Sequence, residues 1–565
     1  MKITGEKSKY HRFALNYEYA PDIVEFCRLL KESFGWQRFS YDTTSGTKRW
    51  CFSDSFLVTV IKGKYPSVEI DPLVWEIVKH EQKIVEEANT RAVEVEKIKQ
   101  KTDTNFHVKG IKGELRNYQR IGVEFLVASK GRAILADEMG TGKSIQSLAY
   151  IVNSGFKRSL IVSPASVKHS WMSEVKKWTN MSAVVIDSKT KLHDIDPKIN
   201  IWICNYDILI KHLPQLLKTH FDCIVGDEST YLKTPSAKRS KAFRQIARGI
   251  NSVIFLSGTP ILNRPAELFH LLNILDPKTW HNWYDYARRF CDGKQTRWGF
   301  DASGSSNPQE LHNKIRGYFL RRLKSDVLKE LPPKVFIEVP VELDKDAAHK
   351  YNVAENDLVA YLKKYSTLED KNIAKTLTAE KLTRLNILRM VCANGKIGIA
   401  KELIENIIDG GEKVVVYASF INPLKELHEY FKDKSVIITG ETPEKDRQTA
   451  VEKFQGDPST QIFFGGYKSA ATGITLTAAK NFIGIDYPFT PSDLNQSIDR
   501  IHRIGQAAES LNIFQLVAAD TIDDDMKQML AKKQNIMDEV IDGRRVEKEE
   551  NMMDTLIRGV LRKYK

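Results

Sequence analysis

Residues 136–144 read Ala-Asp-Glu-Met-Gly-Thr-Gly-Lys-Ser and join a predicted strand to a predicted helix. The strand is the apolar run 133–136. The helix follows from apolar residues at positions 145, 148, 151 and 152, which share one helical face. Gly140 and Gly142, on either side of Thr141, let the backbone approach an anion, and the amides at the start of a helix bind phosphate. This strand–loop–helix context is the one that a phosphate loop requires.

The last two residues of the loop carry the chemistry. Lys143 is expected to reach the β- and γ-phosphates of a nucleotide, and the Ser144 hydroxyl to hold magnesium. We expect Lys143 to face solvent when no nucleotide is bound. Asp137 stands where the strict pattern has its first glycine.

Short apolar runs on both sides of this loop end in Gly, Ser, Asp or Asn and alternate with helical patterns. The runs are 133–136, 159–162, 201–204, 223–225 and 253–256, and then 413–417, 436–438, 461–464, 482–485 and 511–514. Continuous apolar strands of this length predict parallel sheets covered on both faces. The chain is therefore predicted to hold two α/β units, separated by helical stretches.

A carboxylate pair, Asp227 and Glu228, follows the strand 223–225. Carboxylates at the end of a strand suit magnesium and an attacking water. We expect Asp227 to hold the metal and Glu228 to polarise the water.

The order of the motifs resembles the Swi/Snf-type branch of the superfamily-two helicases over residues 111–542. The segments that carry this resemblance are Leu115-Arg116-Asn117-Tyr118-Gln119, residues 137–144, Ser163-Pro164-Ala165-Ser166, Asn205-Tyr206-Asp207, residues 227–230, Ser257-Gly258-Thr259-Pro260, residues 320–327, residues 472–477 and residues 496–506. The resemblance implies a DNA-stimulated ATPase that uses ATP and Mg²⁺. It also implies an α/β fold of two RecA-like parallel-sheet lobes with helical insertions, plus a small N-terminal α+β domain.

The resemblance also implies roles for matching positions. Gln119 is expected to read adenine, and Gly473 to contribute to the nucleotide site. Arg500 and Arg503 are expected to enter the cleft from the second lobe and stabilise the charge of the transferring phosphate. Ser257, Thr259 and Gln496 are expected to couple hydrolysis to movement. The implied nucleic-acid contacts are Ser163, Pro164, Ser166, Asn205, Tyr206, Ser419 and Thr475.

The N-terminal module leaves two interpretations open. Trp36, Arg49, Trp50 and Phe52 interleave basic and aromatic residues, and such a surface can stack on unpaired bases. This run also resembles the substrate-recognition domain of the annealing-helicase (HARP-type) branch. Alternatively, the aromatic residues form the core of a small domain.

Composition is consistent with this interpretation. The formal net charge of +13 favours a polyanionic partner, above all nucleic acid. The six cysteines are scattered singly, which argues against a zinc site or a disulfide framework. No apolar run approaches the roughly 20 residues that cross a bilayer, and no apolar stretch follows the N-terminal lysines, so we expect neither a membrane span nor a signal peptide.

The predicted segments are an N-terminal DNA-recognition-like module at 1–78, a charged helical linker at 79–110, an ATP-binding lobe with a helical insertion at 111–330, a lobe-connecting helical region at 331–395, a C-terminal lobe at 396–545 and a tail at 546–565. We expect an intracellular monomer that acts on duplex or branched DNA, cytoplasmic in a prokaryote or virus-infected host and nuclear in a eukaryote. The favoured function is ATP-dependent translocation on double-stranded DNA that remodels forks or junctions. The alternatives are displacement of proteins from DNA and a nucleotide-gated DNA-binding scaffold with little turnover.

Overall fold

The computed structural model describes residues 1–5, 12–34, 39–42, 49–52, 55–258, 264–296, 299–365, 371–470 and 473–542. The chain divides into two compact units, Met1–Glu94 and Val95–Lys565. In the described part of the chain, each helix is too short or too polar to span a bilayer.

The first unit is α+β, as predicted. Its elements are β1 (Lys2–Gly5), β2 (Phe13–Asn16), α1 (Pro21–Phe34), β3 (Phe39–Asp42), β4 (Arg49–Phe52), α2 (Ser55–Lys64), β5 (Glu69–Ile70) and α3 (Pro72–Lys99), of which α3 continues past Glu94 into the second unit. The strands form one sheet in the order β3-β4-β2-β1-β5. Only β5 runs parallel to its neighbour among these described strands.

Aromatic side chains form the core of this unit. Trp50 is 4% exposed and Phe52 is fully buried, and the ring centroids of both lie about 5.5 Å from that of Phe39. The Trp50 indole Nε1 donates a hydrogen bond to the Tyr17 hydroxyl at 3.2 Å. Trp50 and Phe52 are therefore core residues, so for these two side chains the structure favours the core over the stacking surface.

The other residues of that predicted surface are placed differently. Arg49 is partly exposed, and its guanidinium lies 3.8 Å from the Asp42 carboxylate. Trp36 lies outside the described residues.

The second unit begins with a lobe built on a parallel sheet. Its elements are α4 (Asn117–Ala128), β6 (Arg132–Leu135), α5 (Lys143–Asn153), β7 (Ser159–Ser163), α6 (Lys168–Trp178), β8 (Ala183–Val185), β9 (Ile201–Asn205), α7 (Ile208–Lys218), β10 (Cys223–Asp227), α8 (Lys238–Ala247), β11 (Ser252–Leu256), α9 (Phe269–Leu275), α10 (Trp283–Phe290), β12 (Lys294–Thr296), β13 (Gly299–Asp301), α11 (Pro308–Ile315), β14 (Phe319–Leu320) and α12 (Lys324–Val327). Its seven-stranded sheet has the order β14-β6-β11-β10-β7-β9-β8.

A second parallel lobe follows. Its elements are β15 (Lys334–Val341), α13 (Lys345–Tyr365), α14 (Lys371–Asn394), α15 (Ile397–Asp409), β16 (Val414–Ala418), α16 (Ile421–Tyr430), β17 (Ser435–Ile438), α17 (Glu444–Gly456), β18 (Ile462–Gly466), β19 (Asn481–Gly484), α18 (Pro491–Ile498), β20 (Leu511–Ala518) and α19 (Ile522–Asp542). The six strands have the order β15-β20-β19-β16-β18-β17.

Both sheets are covered on both faces, as the continuous apolar runs predicted. In β6, Ile134 packs into one apolar cluster, whereas Ala133 and Leu135 pack into another. In β16, Val414 and Val415 likewise point into different clusters. Each predicted apolar run lies in a strand of these two lobes, apart from at most one residue at one end of the run, which confirms the fold class.

Two stretches predicted to be helical contain strands as well as helices. The region 331–395 begins with β15, whose eight residues pair in parallel with β20 at the edge of the second sheet. In the insertion of the first lobe, β14 pairs with β6. Both segments are short or exposed, and a partner strand distant in sequence supplies their hydrogen bonds, so local patterns did not reveal them.

Candidate active site

The phosphate loop joins β6 to α5 at the carboxyl edge of the first sheet. Gly140 and Gly142 have φ angles of 84° and 83°, which an L side chain rarely adopts. A Cβ on Gly142 would lie 2.5 Å from the Gln119 amide nitrogen. The loop therefore requires glycine at position 142, and it leads directly into the amides at the start of α5.

Lys143 is half-buried in the cleft and is therefore less exposed than predicted. Its Nζ donates hydrogen bonds to the backbone carbonyls of Asp137, at 2.7 Å, and Glu138, at 3.2 Å. The ammonium is thus held against the loop itself. The same group is poised to exchange these carbonyls for phosphate oxygens.

Asp137, the departure from the strict loop pattern, has a structural partner. Its fully buried carboxylate receives two hydrogen bonds from Arg322, Nε to Oδ1 at 3.0 Å and the terminal nitrogen to Oδ2 at 2.5 Å. The Gln146 amide also donates to Asp137 at 3.3 Å and accepts from Arg322 at 2.9 Å. Arg322 follows β14, so this pair ties the phosphate loop to the end of the lobe's insertion.

The predicted carboxylate pair lies beside the loop, at the end of β10. Asp227 Oδ2 accepts a hydrogen bond from the Trp171 indole at 2.8 Å, and Oδ1 accepts from the backbone amide of Glu228 at 3.0 Å. Glu228 itself has φ 48°, which is unfavourable for a residue with a side chain. Strain of this kind is common where a structure holds a reactive group in one orientation.

Desolvation dominates the electrostatics of the pair. Burial, reinforced by the neighbouring Asp227 charge, raises the pKa of Glu228 to about 7, although Lys143 and the two arginines oppose the shift. Burial also raises the pKa of Asp227. Two half-buried carboxylates side by side in the cleft make a site that a divalent cation would stabilise.

Arg500 and Arg503 come from the second lobe and line the same cleft, which has a volume of about 580 Å³. The Arg500 guanidinium is 1% exposed, donates to the Gln496 and Ile474 carbonyls and approaches the Met139 sulfur at 3.9 Å. Arg503 donates to the Thr475 hydroxyl at 3.1 Å. The structure thus brings together phosphate loop, carboxylates and both arginines.

Gln119 and Gly473 lie at the borders of this cleft. The Gln119 carboxamide accepts from the Arg116 amide at 3.0 Å and donates to the Thr141 carbonyl at 3.2 Å. A Cβ on Gly473 would lie 3.0 Å from Val167, so the second lobe approaches the first closely here. Adenine recognition by Gln119 stays a prediction, because in this structure its side-chain carboxamide forms hydrogen bonds with the protein backbone.

Four of the predicted nucleic-acid contacts are buried. They are Ser163, Pro164, Asn205 and Tyr206. Tyr206 is 1% exposed, stacks on Tyr231 and donates from its hydroxyl to the Asp227 carbonyl at 2.6 Å. Contact of these four residues with DNA therefore stays a prediction, while the Tyr206 side chain supports the strand end that carries the carboxylates.

The other predicted contacts differ in position. Ser419 is exposed and Ser166 half-buried, so both are open to a ligand. Thr475 lies in the nucleotide cleft, where its hydroxyl accepts from Arg503, rather than on an outer surface.

The predicted coupling residues are only partly described. Ser257 is buried directly after β11, and its amide donates to the Leu135 carbonyl at 3.1 Å. Gln496, on α18, donates from its amide to the Ser492 hydroxyl at 3.1 Å. Thr259 lies outside the described residues.

Sequence reasoning missed several residues at the site. Trp171, Arg322 and Met139 contact its charged groups, as described above. Trp171 lies on α6, where a tryptophan in an amphipathic helix indicates only a core residue. Arg322 lies in a motif that the resemblance marked, but its partner could not be read from the sequence.

The cleft fits ATP and magnesium on its own geometry. The glycines leave a cradle that a Cβ would fill, Lys143 can meet phosphate oxygens, and Ser144, Asp227 and Glu228 supply the hard oxygen ligands that magnesium prefers. When bound, the nucleotide and the metal supply the transferable phosphoryl group and the neutralisation of its charge.

Comparison with known proteins agrees with this geometry. The SNF2-related domain matches residues 118–397, and the helicase conserved C-terminal domain matches residues 395–505. The DNA annealing helicase and endonuclease ZRANB3 of Mus musculus is 30% identical over 464 residues, which make up 79% of this chain and 42% of that protein. The chain thus spans about two fifths of the length of this relative.

Two further proteins are similar. The SWI/SNF-related matrix-associated actin-dependent regulator of chromatin subfamily A-like protein 1 of Xenopus laevis is 29% identical over 539 residues, 93% of this chain and 53% of that protein. The solved Sulfolobus solfataricus SWI2/SNF2 ATPase core in complex with dsDNA is 25% identical, with a TM-score of 0.39 and coverage of 78% of this chain and 96% of that chain.

Proposed function

Because this chain belongs to the family of SNF2-related, helicase-like ATPases, we propose that it couples ATP hydrolysis to movement along double-stranded DNA and remodels branched DNA such as forks or junctions. One observation carries the proposal. Arg500 and Arg503 of the second lobe line the same cleft as Lys143, Asp227 and Glu228 of the first.

This division of the site between two lobes links chemistry to motion. Lys143 would bind the phosphates of the nucleotide and Asp227 the magnesium ion. Glu228 would orient and polarise the water, and the arginines would stabilise the charge that develops in the transition state. The second lobe must therefore close on the first for turnover. After hydrolysis, release of the cleaved phosphate removes negative charge from the cleft. The attraction of Arg500 and Arg503 to the bound nucleotide is then weaker, so each cycle closes and opens the lobes.

A second groove between the lobes supports a nucleic-acid substrate. It has a volume of about 800 Å³ and is lined by small hydroxyl side chains and by Arg447, among others. Arg447 donates its described hydrogen bonds to the backbone carbonyls of Thr439, Thr442 and Ser469. These three partners are neutral, so they do not offset the positive charge of the guanidinium. Hydroxyl and guanidinium groups are among those that contact DNA phosphates.

The preference for branched DNA rests on similarity and charge. The name of the mouse relative describes a DNA annealing helicase, and the similarity to the frog relative covers so much of this chain that part of the first unit is included. The net charge of +13 favours a polyanionic partner. A protein that acts on DNA would be located in the nucleus of a eukaryote or in the cytoplasm of a prokaryote.

The test is steady-state ATPase activity of the full chain with no DNA, single strands, duplex, a model fork and a four-way junction. Stimulation by duplex and stronger stimulation by branched DNA are expected, together with ATP-dependent conversion of a labelled fork. The Glu228→Gln variant is the control for contaminating ATPases. An ATPase rate that is the same with and without DNA would refute the translocase activity. Equal stimulation by duplex and fork, with no conversion of the labelled fork, would refute the remodelling of branched DNA.

Deletion of residues 1–94, the whole first unit, addresses where branch preference originates. The motifs of the cleft all remain, so stimulation by plain duplex should persist. A selective loss of the fork preference is expected. An unchanged preference would assign the discrimination to the two lobes.

A further inference from the structure

A buried ion pair joins the two lobes beside the active site. Lys324, the first residue of α12 in the first lobe, lies with its Nζ 2.8 Å from Oδ1 of Asp499, which directly follows α18 in the second lobe. Each residue is 1% exposed. Neither side chain has a role in the chemistry described above.

On the side of the second lobe, the pair holds the segment that carries both arginines. Asp499 immediately precedes Arg500, and its backbone carbonyl accepts from Arg503 Nε at 3.2 Å. Lys324 Nζ also donates to the His502 carbonyl at 2.8 Å. One ammonium of the first lobe therefore contacts this segment at two points, one on either side of Arg500.

On the side of the first lobe, the pair contacts the phosphate loop. Glu138 Oε2 accepts from the backbone amide of Lys324 at 2.7 Å. Lys334 Nζ bridges the two sides, 3.3 Å from Asp499 Oδ1 and 3.8 Å from Glu138 Oε1. A Cβ on Gly140 would lie 3.3 Å from Lys324 Cε and 3.5 Å from Arg503 Cγ, so the loop rests directly on both side chains.

Electrostatics keeps both members charged near neutral pH. Burial lowers the pKa of Lys324 to about 8, and the two lysines hold the pKa of Asp499 at about 2 despite its own burial. Separation of the lobes would expose both charges to water and offset much of the lost attraction, so such a pair contributes little net stability. What it fixes is geometry, because a buried charge tolerates only the arrangement that pairs it.

We infer that Lys324 and Asp499 are positioning residues that set the register of Arg500 and Arg503 against the phosphate loop when the lobes close. This inference rests on the proposed ATPase function. It goes beyond that function because it assigns the accuracy of closure to one ion pair outside the reacting groups. A displacement of about 1 Å at a reacting centre can lower a rate about 10²-fold.

The test is a double-mutant cycle with Lys324→Gln, Asp499→Asn and the double variant. The kcat of each single variant should fall about 10²-fold, and the double variant should be no worse than the poorer single. The dissociation constant of ATP should change less than about threefold, since the groups that hold the ground-state nucleotide lie in the first lobe. Equal losses in kcat and ATP affinity, or unchanged kcat, would overturn the inference.

A second readout is independent of catalysis. All six cysteines are buried, so exposed positions such as Lys218 in the first lobe and Asp433 in the second can be changed to cysteine and spin-labelled selectively. The distance distribution between the labels without nucleotide should broaden in Lys324→Gln and Asp499→Asn. Unchanged distributions would overturn the inference, and a parent protein without ATPase activity would refute the proposed function while leaving this measurement valid.

Lys396→Met provides the matched control. Lys396 is fully buried and pairs with Asp523, but both residues belong to the second lobe. Its loss should lower thermal stability, while the distance distribution between the lobes and kcat per folded molecule stay near those of the parent. Lys480→Met, at a half-buried position of the second lobe that pairs with Glu412, is the second control if Lys396→Met fails to fold.

Discussion

Asp137→Gly gives the protein the first glycine of the strict phosphate-loop pattern, yet we expect it to destabilise the first lobe. The substitution removes the buried carboxylate that binds Arg322 through two hydrogen bonds. The guanidinium remains close to the Tyr118 ring and carbonyl and to the Gln146 amide, but its charge loses its counterion. A local sequence pattern and the tertiary structure thus predict opposite effects.

The magnitude follows from burial. Removal of one member of a buried ion pair costs about 3–5 kcal/mol. The Arg322 side chain is 12% exposed and keeps two polar partners, so the lower end, about 3 kcal/mol, applies. In a lobe of this size, each kcal/mol corresponds to about 2–4 °C in Tm, which gives an expected fall of about 6–12 °C.

The assay is thermal and urea unfolding of the parent, Asp137→Gly, Arg322→Met and the double variant. Each single variant should be destabilised, and the double variant should recover part of the loss because no buried charge remains unpaired. Asp409→Gly, at an exposed helix end, is the matched control and should cost no more than about 1 kcal/mol. An Asp137→Gly variant as stable as the parent, or strictly additive effects of the two substitutions, would refute the reasoning.

Four further predictions concern the site and the first unit. Lys143→Ala should abolish hydrolysis in a folded protein, checked by turnover beside circular dichroism; near-normal turnover would contradict the role of the loop. Glu228→Gln should retain ATP without hydrolysing it, because the phosphate contacts survive while water activation does not, and a filter-binding assay that showed no retained ATP would assign Glu228 another task. Arg500→Ala or Arg503→Ala should lower kcat far more than ATP affinity, by up to about 10³-fold each if the two share the charge, and normal DNA-stimulated turnover in both would exclude completion of the site by the second lobe. Trp50→Ala should destabilise the first unit by about 3–5 kcal/mol in urea unfolding, whereas a stable variant would contradict its place in the core.

Features that depend only on neighbouring residues could be predicted from the amino-acid order. The phosphate loop from Gly140 to Ser144 is a local arrangement of strand, turn and helix, so its glycines and its lysine could be placed without a partner. The buried strands such as β10 were recognisable because parallel strands covered on both faces need continuous apolar runs. The pair Asp227 and Glu228 followed from such a strand.

Tertiary structure decided whatever depends on a partner far along the chain. Arg322 and Asp137 are 185 positions apart, and Lys324 and the His502 carbonyl are 178 positions apart, so no local period could pair them.

The burial of aromatic side chains also depends on residues far along the chain. Trp50 and Tyr206 belong to sequences that suit a nucleic-acid surface as well as a core, and only the packing of distant strands and helices shows that both side chains are buried. In the first unit, Leu57, Val58 and Ile61 lie on helix α2 and pack into the core of that unit. The family resemblance implied that Arg500 and Arg503 enter the cleft. Their contacts with the phosphate loop depend on how the two lobes pack against each other.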